Sequence, residues 1–280
     1  MREVILIARD ECFSPHSEAN DQAILQAVEQ RLTARGYKTT MVREDLRSDI
    51  SLSLGRDEEG DSQTDTLWVS MGRHKTTLDF LRKKEQQGMA VVNSADGVGI
   101  CVSRSRLDEL MRRERIPLPP VEGTHGYWLK RGDTSAQSHD DIVFAADEQE
   151  RDSALRRFHD RGISLVVVSS HVTGDVVKFY GVEGTSFFWF CYPTDDGVTK
   201  YGDEWRNGSA HHYPFDVEGL RREAERLSRL VGVPVYGGDA VITGQGQFFI
   251  IDFNDWPSFS RCRETAADAI TELLVNKYLK

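Results

Sequence analysis

The stretch that decides the fold lies near the C-terminus, where residues 237–257 read Gly-Gly-Asp-Ala-Val-Ile-Thr-Gly-Gln-Gly-Gln-Phe-Phe-Ile-Ile-Asp-Phe-Asn-Asp-Trp-Pro. Two apolar runs flank a short glycine-rich turn, a pattern that predicts a β-hairpin. With a two-residue Gln-Gly turn at its tip, the register pairs Val241 with Ile250 and Asp239 with Asp252. A three-residue turn would shift the register by one and break this alignment.

Two carboxylates and an amide therefore meet at the far end of the hairpin. Directly opposed side chains lie about 4.5–5.5 Å apart, and like charges at that distance repel. Asn254 follows Asp252 by two residues, so its side chain points to the same face. Oxygen-only ligands suit a hard cation such as Mg²⁺. We predict that Asp239, Asp252 and Asn254 bind Mg²⁺; the alternative is a solvated hairpin end with scattered acids.

The composition of the 280-residue chain indicates a globular protein of one large or two modest domains. Its net charge is −10 and it has no long basic run, so duplex nucleic acid is not an expected partner. No apolar run approaches the roughly 20 residues of a membrane span, so no membrane association is expected. The four cysteines lack Cys-x-x-Cys spacing, which argues against disulfides and a zinc site. Free thiols fit a reducing cytoplasm, the predicted location.

Strands and helices alternate over residues 1–98, which predicts an α/β domain with a parallel, doubly wound sheet. Ligands of such sheets lie beyond the carboxyl ends of the strands, where this sequence places Arg73 and Asn93. We predict that both face the substrate, the alternative being ordinary polar loop residues. The predicted strands are Val4–Ala8, Tyr37–Val42, Leu67–Met71 and Met89–Val92.

A different pattern follows over residues 99–280. A predicted helix from Arg104 to Glu114 leads to Pro119-Pro120, which is a signal of a rigid linker. Short strands beyond it predict an α+β region with antiparallel sheets, in which a small module covers about residues 122–171. A long amphipathic helix over Val217–Leu230 precedes the hairpin.

Together these features resemble the ATP-grasp superfamily, in particular carboxylate–amine ligases of the ribosomal-protein-modifying and glutathione-synthetase types. In that family an acid on one strand and an acid-x-Asn on the next hold Mg²⁺ against the ATP phosphates. The segment from Ser103 to Met111, followed by Ile116-Pro-Leu-Pro119, resembles the segment that carries the family's phosphate-binding lysine. The resemblance covers most of the chain and implies that the module at about 122–171 is a lid.

The resemblance also implies which residues bind ATP. Arg104 occupies the position of the family's phosphate-binding lysine. It keeps the positive charge but carries it on a planar guanidinium group. Lys130 matches the lid lysine that contacts the α- and β-phosphates, and Lys178 lies near a further basic residue of the family. Only Gly132 follows Lys130 where the family has a glycine-rich loop whose N–H groups cover the phosphates.

Residues 165–178 resemble the family's hinge between the lid and the C-terminal module. Backbone groups of the hinge read the adenine edge, which assigns Ser170, His171 and Val172 to ATP binding. Asp175 is expected to accept hydrogen bonds from the ribose hydroxyls. The family often has an acid in this hinge, and this chain has Ser169-Ser170 there instead.

The resemblance implies that the protein is an ATP-dependent ligase with Mg²⁺. A substrate carboxylate attacks the γ-phosphate, and an amine or another nucleophile then displaces phosphate from the acyl-phosphate. Arg206 is assigned the catalytic role of stabilising the transferred phosphoryl group. The partners would be a small-molecule or peptide carboxylate and an amine, and a homodimer is compatible with the sequence.

Two alternatives remain open at this point. The same ATP site would serve a phosphotransferase without a second nucleophile, and it would also serve a non-catalytic ATP-binding or interaction module. The glycine-poor lid loop and the hinge serines favour the non-catalytic module, whereas the complete Asp/Asp/Asn set argues against it. The chain contains no Walker A motif, no Gly-x-Gly-x-x-Gly after the first strand and no Gly-x-Ser-x-Gly elbow.

Overall fold

A computed structural model of the protein describes residues 3–14, 17–44, 66–134, 138–196 and 206–280. Its first layer is a parallel sheet. The strand order is β2-β1-β3-β4, with all pairs parallel. This confirms the predicted α/β domain with a parallel sheet. Its elements are β1 (Glu3–Ala8), α1 (Glu18–Ala34), β2 (Lys38–Arg43), β3 (Thr66–Ser70), α2 (Lys75–Gln86) and β4 (Ala90–Val92).

Two short helices connect this sheet to the rest of the chain: α3 (Ala95–Val102) and α4 (Arg104–Arg113). Helix α3 was not predicted, because Gly97 and Gly99 lower its helix propensity. A Cβ at Gly97 would lie 2.5 Å from the Val231 carbonyl oxygen, so glycine permits the close packing that places α3. The domain boundary predicted near Gly99 falls inside this helix and stays a prediction.

A three-stranded antiparallel sheet of order β6-β5-β7 follows, within the range predicted for the lid. One of its faces packs on the next helix around Phe158, through Tyr127, Leu129 and Ala145. Residues on the other face alternate with these, and they include Trp128 and Lys130. The elements are β5 (Tyr127–Arg131), β6 (Ile142–Ala145), α5 (Glu148–Asp160) and β7 (Val166–Ser170).

A four-stranded antiparallel sheet of order β11-β10-β8-β9 completes the fold and confirms the predicted α+β region. Helix α6 buries Leu220, Ala224 and Leu227 against this sheet and α4. The elements are β8 (Asp175–Val182), β9 (Phe188–Cys191), α6 (Val217–Val231), β10 (Val235–Ile242), β11 (Phe248–Asp255) and α7 (Arg263–Leu273).

The β10–β11 hairpin pairs Asp239 with Asp252, as predicted. Nearer the turn the predicted register is wrong, since Val241 pairs with Phe249 and Ile250 pairs with Ala240. A β-bulge between these two regions adds one residue to β11 and restores the predicted pairing at the acidic end.

The C-terminal helix returns to the first sheet. Helix α7 buries Ala266, Ile270 and Leu273 in the same core as α1 and strands β1 and β3. The two ends of the chain thus share one core. No helix within the described ranges has both the length and the apolar character needed to cross a membrane.

Candidate functional site

The acidic end of the β10–β11 hairpin lies next to basic side chains from neighbouring elements. On β8, the adjacent strand, Lys178 Nζ donates to Asp239 Oδ1 at 2.9 Å. Asn254 Nδ2 donates to Asp252 Oδ2 at 2.9 Å, which shows that both side chains point to one face, as predicted. The Asn254 amide oxygen remains to accept or to ligate. Two carboxylates and one amide oxygen form a donor set that fits Mg²⁺.

Lys130 reaches this end of the hairpin from strand β5. Its Nζ donates to the Ile251 carbonyl oxygen at 3.0 Å. Ile251 is the residue that the β-bulge leaves unpaired, so the bulge supplies the acceptor that holds Lys130. Burial lowers the pKa of Lys130, because the charged ammonium loses hydration. The nearby Asp252 counteracts this effect, as an opposite charge favours the ammonium form.

The two opposed carboxylates are not the destabilising pair that their register alone predicts. Burial by itself would raise the pKa of Asp252, yet the Arg104 and Lys130 charges bring that pKa below its ordinary value. Lys178 and the Asn254 hydrogen bond act in the same direction. These cations come from elements that the hairpin register does not include, so the register alone could not predict their effect.

Arg104 provides the clearest sign of a missing anionic partner. It is the first residue of α4, where backbone N–H groups also favour negative charge. Its Nε and Nη1 atoms are buried and have no hydrogen-bond partner among the described residues. Buried charged donors without acceptors are costly. Arg104, Lys130 and Asp252 line one pocket together with the apolar side chains of Leu107, Met111 and Ile250. Phosphate oxygens in this pocket would satisfy the free Arg104 donors.

The hinge residues differ from their predicted roles. The N–H groups of Ser170 and His171 donate to the Pro120 and Gly126 carbonyl oxygens, so these two amides are not free to read an adenine edge. Val172 lies between β7 and β8, as expected for a hinge. Of the groups predicted to read the adenine edge, the Val172 backbone and the carbonyl groups of the hinge stay candidates.

The expectation that Asp175 binds ribose is wrong. The residue is 2% exposed, and its carboxylate accepts hydrogen bonds from the backbone N–H groups of His211 and Tyr213 at 2.8 and 2.9 Å. Asp175 therefore fixes the segment that leads into α6. Sequence reasoning could not see this, because the anchored segment lies more than thirty residues away along the chain.

An aromatic surface that sequence reasoning missed lies on the face of the β6-β5-β7 sheet that carries Lys130. Trp128 and Phe144 are cross-strand neighbours with ring centroids 5.3 Å apart. The Trp128 indole N–H donates to His171 Nδ1 at 3.1 Å. Trp128 precedes Lys130 by two residues, so both side chains share this face, and that spacing was the available signal.

Arg206 contacts this aromatic surface instead of the acidic end of the hairpin. Its guanidinium carbon lies 3.7 Å from the Phe144 ring centroid and 5.8 Å from that of Trp128. Such stacking is a favourable cation–π interaction. The structure thus does not bring Arg206 together with Asp239 and Asp252, and its predicted catalytic role is not supported by this position.

The two predicted substrate residues are engaged within the protein. Asn93 is fully buried, and its amide exchanges two hydrogen bonds with the Val235 backbone, so the expectation that it faces a substrate is wrong. Arg73 donates to Asp255 Oδ1 at 2.6 Å, and Asp255 is fully buried. Arg9, which sequence reasoning missed, pairs with the same carboxylate. These residues join the parallel sheet to the end of β11.

Solved structures with this architecture match nearly the whole chain. D-alanyl-alanine synthetase A from Vibrio cholerae superposes with a TM-score of 0.68 at 11% identity, covering 100% of this chain and 99% of that one. D-alanine–D-alanine ligase from Bacillus anthracis gives 0.61 at 13% identity, with 98% and 95% covered. A RimK-domain ATP-grasp protein from Sphaerobacter thermophilus gives 0.62 at 16% identity, with 98% and 100% covered.

These matches show the fold. The chain has the ATP-grasp fold that the resemblance predicted, with a parallel N-terminal sheet and two antiparallel sheets. No protein-family model matches the chain, and no curated protein matches it in sequence.

Proposed function

We propose that this protein is an ATP-dependent ligase that activates a carboxylate as an acyl-phosphate and joins it to an amine. The observation that carries the proposal is the buried, unsatisfied Arg104 guanidinium beside Lys130 and the acidic end of the β10–β11 hairpin. Unpaired buried donors next to a carboxylate and amide donor set suit a metal-bound polyphosphate. The ATP-grasp fold supports this choice, since the matching structures include ligases, one of them complexed with ATP.

The nucleotide would lie between the open face of the lid sheet and the large antiparallel sheet. Arg104, Lys130 and Lys178 would bind the phosphates, while Asp239, Asp252 and Asn254 would hold Mg²⁺. When bound, Mg²⁺ neutralises phosphate charge and orients the phosphates. Lys178 now pairs with Asp239, so nucleotide binding would redistribute these ion pairs.

The base would stack near the hinge. Trp128 precedes Lys130 by two residues on β5 and forms an aromatic surface with Phe144 and His171. This surface would suit a base joined to phosphates that Lys130 holds. Arg206 now covers this surface. We infer that adenine takes the place of the guanidinium or stacks beside it, so that Arg206 contributes to base binding in place of the catalytic role first predicted.

The chemistry demands positioning and charge neutralisation from this chain. A carboxylate oxygen of the substrate attacks the γ-phosphorus, and the bond to the ADP oxygen breaks. The amine then attacks the acyl carbon and phosphate leaves, while the amine loses a proton to solvent. Donors already aimed at the phosphoryl oxygens stabilise the transition state without reorganisation.

The domain assignment stays part of the proposal: residues 1–98 as an α/β domain, residues 99–280 as the ATP-grasp domain, and a lid over about 122–171. The cation-rich pocket lies within the second part, and the first would contribute to the substrate cleft. A small-molecule or peptide carboxylate and an amine are the proposed substrates, in a reducing cytoplasm that suits the four thiols.

Product release tests the function. The protein would be incubated with Mg·ATP and sets of carboxylates, each with and without a set of amines, while ADP and phosphate are measured. We expect ADP and phosphate in equal amounts, formed only when a carboxylate and an amine are both present. ADP without phosphate would indicate a phosphotransferase, and Mg·ATP binding without any product would indicate a non-catalytic module.

A further inference from the structure

A second cluster of potential metal ligands lies at the carboxyl end of the parallel sheet, beside Arg9 and Arg73, which pair with Asp255 at the end of β11. It consists of Asp10 and Cys12, which follow β1, and His74, which follows β3. One ligand atom of each residue lies within 4.8 Å of the other two. Sequence spacing could not show this cluster, because the sheet brings His74 to the other two across more than sixty residues.

The His74 imidazole is the unusual member of the cluster. The residue is 5% exposed, and its Nε2 atom is buried without a hydrogen-bond partner among the described residues. Nevertheless, Nε2 lies 3.2 Å from Asp10 Oδ2. The two atoms are close enough to pair with each other or to be two ligands of one cation.

The short distance between His74 Nε2 and Asp10 Oδ2 is one that two ligands of a single metal ion also show. In a tetrahedral site with bonds of about 2.0–2.1 Å, two ligand atoms lie about 3.3 Å apart. The observed 3.2 Å between His74 Nε2 and Asp10 Oδ2 fits this edge length.

The surrounding backbone holds the cluster in place. Asp10 Oδ1 accepts the Cys12 backbone N–H at 2.9 Å, which turns Oδ2 toward His74. The Phe13 ring packs edge-on against the imidazole, with centroids 4.8 Å apart. Glu44, which is 1% exposed, accepts hydrogen bonds from the backbone N–H groups of Asp10 and His74. The buried Glu44 carboxylate thus ties together the two loops that carry the ligands.

We propose that Asp10, Cys12 and His74 form a binding site for Zn²⁺, with a fourth position open to water or to a substrate atom. A thiolate, an imidazole and a carboxylate are a donor set of intermediate softness, which suits Zn²⁺. Hard Mg²⁺ prefers oxygen atoms alone, so it would stay at the β10–β11 hairpin. Binding requires the Cys12 thiol to release its proton to solvent, and Cys12 is exposed, so its side chain can rotate toward the ion.

This site does not depend on the proposed ligase function. Its position at the carboxyl ends of β1 and β3 is where open α/β sheets bind ligands. An ion with one open position there would present a Lewis acid to a group in the cleft. The inference holds or fails on metal binding alone, whatever reaction the β10–β11 hairpin supports.

The test uses the full chain, freed of metal by a chelator and then titrated with Zn²⁺, or with Co²⁺ as a spectroscopic probe, in excess Mg²⁺. Calorimetry gives the stoichiometry, and Co²⁺ absorption reports a thiolate ligand through its charge-transfer band. Cys12→Ser removes the exposed thiol with little risk to folding. Cys191→Ser is the matched control for a cysteine outside the cluster, and His212→Ala controls for binding to exposed histidines.

We expect one Zn²⁺ per chain and a thiolate-to-cobalt band in the wild type, Cys191→Ser and His212→Ala. Cys12→Ser should lose the band and bind Zn²⁺ at least about 100-fold more weakly, beyond the roughly 10- to 100-fold typical of residues that only orient a ligand. Absence of tight Zn²⁺ binding in the wild type would overturn the proposal. Binding that survives in Cys12→Ser, or that disappears in His212→Ala, would overturn it as well.

Discussion

At the scale of single residues, the candidate ATP site is a balance of buried charges. Lys130 and Arg104 lie next to Asp252, and each cation offsets the cost of burying the carboxylate. The Arg104 donors nevertheless lack acceptors. The site therefore carries positive charge that the protein itself does not fully satisfy, which is the condition for binding an anion tightly.

Replacing Lys130 by Met should weaken Mg·ATP binding and also lower the stability of the ligand-free protein. Loss of a charged hydrogen bond, about 1.5–3 kcal/mol, predicts a Mg·ATP affinity about 10- to 150-fold weaker. The ligand-free variant should be less stable than the wild type, because the buried Asp252 carboxylate loses one of the cations that lower its pKa. Calorimetry and denaturant unfolding measure the two effects.

Lys277→Met is the matched control for this substitution. Lys277 is about half exposed and pairs with Glu183 on the surface, so its loss should change neither the affinity nor the stability appreciably. Equal Mg·ATP affinity in Lys130→Met and wild type would show that Lys130 only attaches the lid to Ile251.

The lowered pKa of Asp252 predicts how stability depends on pH. The unfolded chain has an aspartate pKa of about 3.9, and the folded value lies below it. The ionised carboxylate thus contributes stability that is fully present above about pH 3.9 and is lost as pH falls through the folded pKa. Asp252→Asn should be less stable than wild type at neutral pH, and the difference should shrink in acid.

Denaturant unfolding of both proteins between about pH 7 and about pH 3, a range that brackets the ordinary aspartate pKa, measures this difference. Arg104→Gln should reduce the effect of Asp252→Asn at neutral pH, since Arg104 is the cation that lowers the pKa most. If the difference in the free energy of unfolding stays constant with pH, the charge of Asp252 does not contribute to stability.

Sequence reasoning was most successful for residues whose position follows from strand alternation. It correctly placed Asp252 and Asn254 on one face, because that relation is local. It failed for Asn93 and Asp175, whose polar groups serve distant backbone atoms. A polar residue beside a strand end looks the same in sequence whether it binds a ligand or anchors another segment.

At the scale of elements, the β10–β11 hairpin pairs Asp239 with Asp252 as predicted, although the predicted register did not include a β-bulge. The pairs nearest the turn are one residue away from the predicted ones, and the bulge at Ile251 restores the match before Asp252. Bulges depend on tertiary contacts, here with Lys130, and leave little trace in sequence. Helix α3 was missed for a similar reason, because packing overrides the low propensity of its glycines.

Gly238 makes the acidic end of the hairpin possible. A Cβ there would lie 2.3 Å from the Asp252 carbonyl oxygen and 2.5 Å from the Phe179 ring. Gly238→Ala should therefore destabilise the protein by about 1–3 kcal/mol, as overpacking does. It should also weaken Mg·ATP binding, because Asp239 and Asp252 would move apart. Thermal or denaturant unfolding and calorimetry measure both effects.

Gly244→Ala on the same hairpin is the control. The nearest atom to a Cβ at Gly244 lies 3.6 Å away, which is an ordinary contact. This variant should retain wild-type stability to within about 0.5 kcal/mol, together with wild-type affinity. If both alanine variants behave alike, close packing at Gly238 is not what sets the geometry of the acidic end.

At the scale of the whole molecule, the C-terminal part of the chain is built into the first sheet. Helix α7 packs on α1, and Asp255 at the end of β11 pairs with Arg9 and Arg73 from the parallel sheet. The predicted boundary near Gly99 separates two sequence patterns, but the core crosses it. We therefore expect cooperative unfolding of both parts in one transition.

Asp255→Asn tests this connection. Asp255 is fully buried, and removing its charge leaves the buried Arg73 guanidinium without its carboxylate partner and Arg9 with Asp21 alone. The expected loss is about 3–5 kcal/mol in the free energy of unfolding, still in a single transition. Asp268→Asn breaks an exposed ion pair with Arg31 and should cost at most about 1 kcal/mol. Equal losses, or two separate transitions in the wild type, would contradict this account.

The most direct test of the central claim is calorimetric titration of ATP into the wild type and Asp252→Asn, each with and without Mg²⁺. If the acidic end of the β10–β11 hairpin holds the ion against the phosphates, the wild type binds ATP much more tightly with Mg²⁺. Asp252→Asn should then bind equally weakly in both conditions. Wild-type protein that binds no ATP at millimolar Mg·ATP, or Asp252→Asn that keeps the full Mg²⁺ dependence, would contradict the assignment of this site.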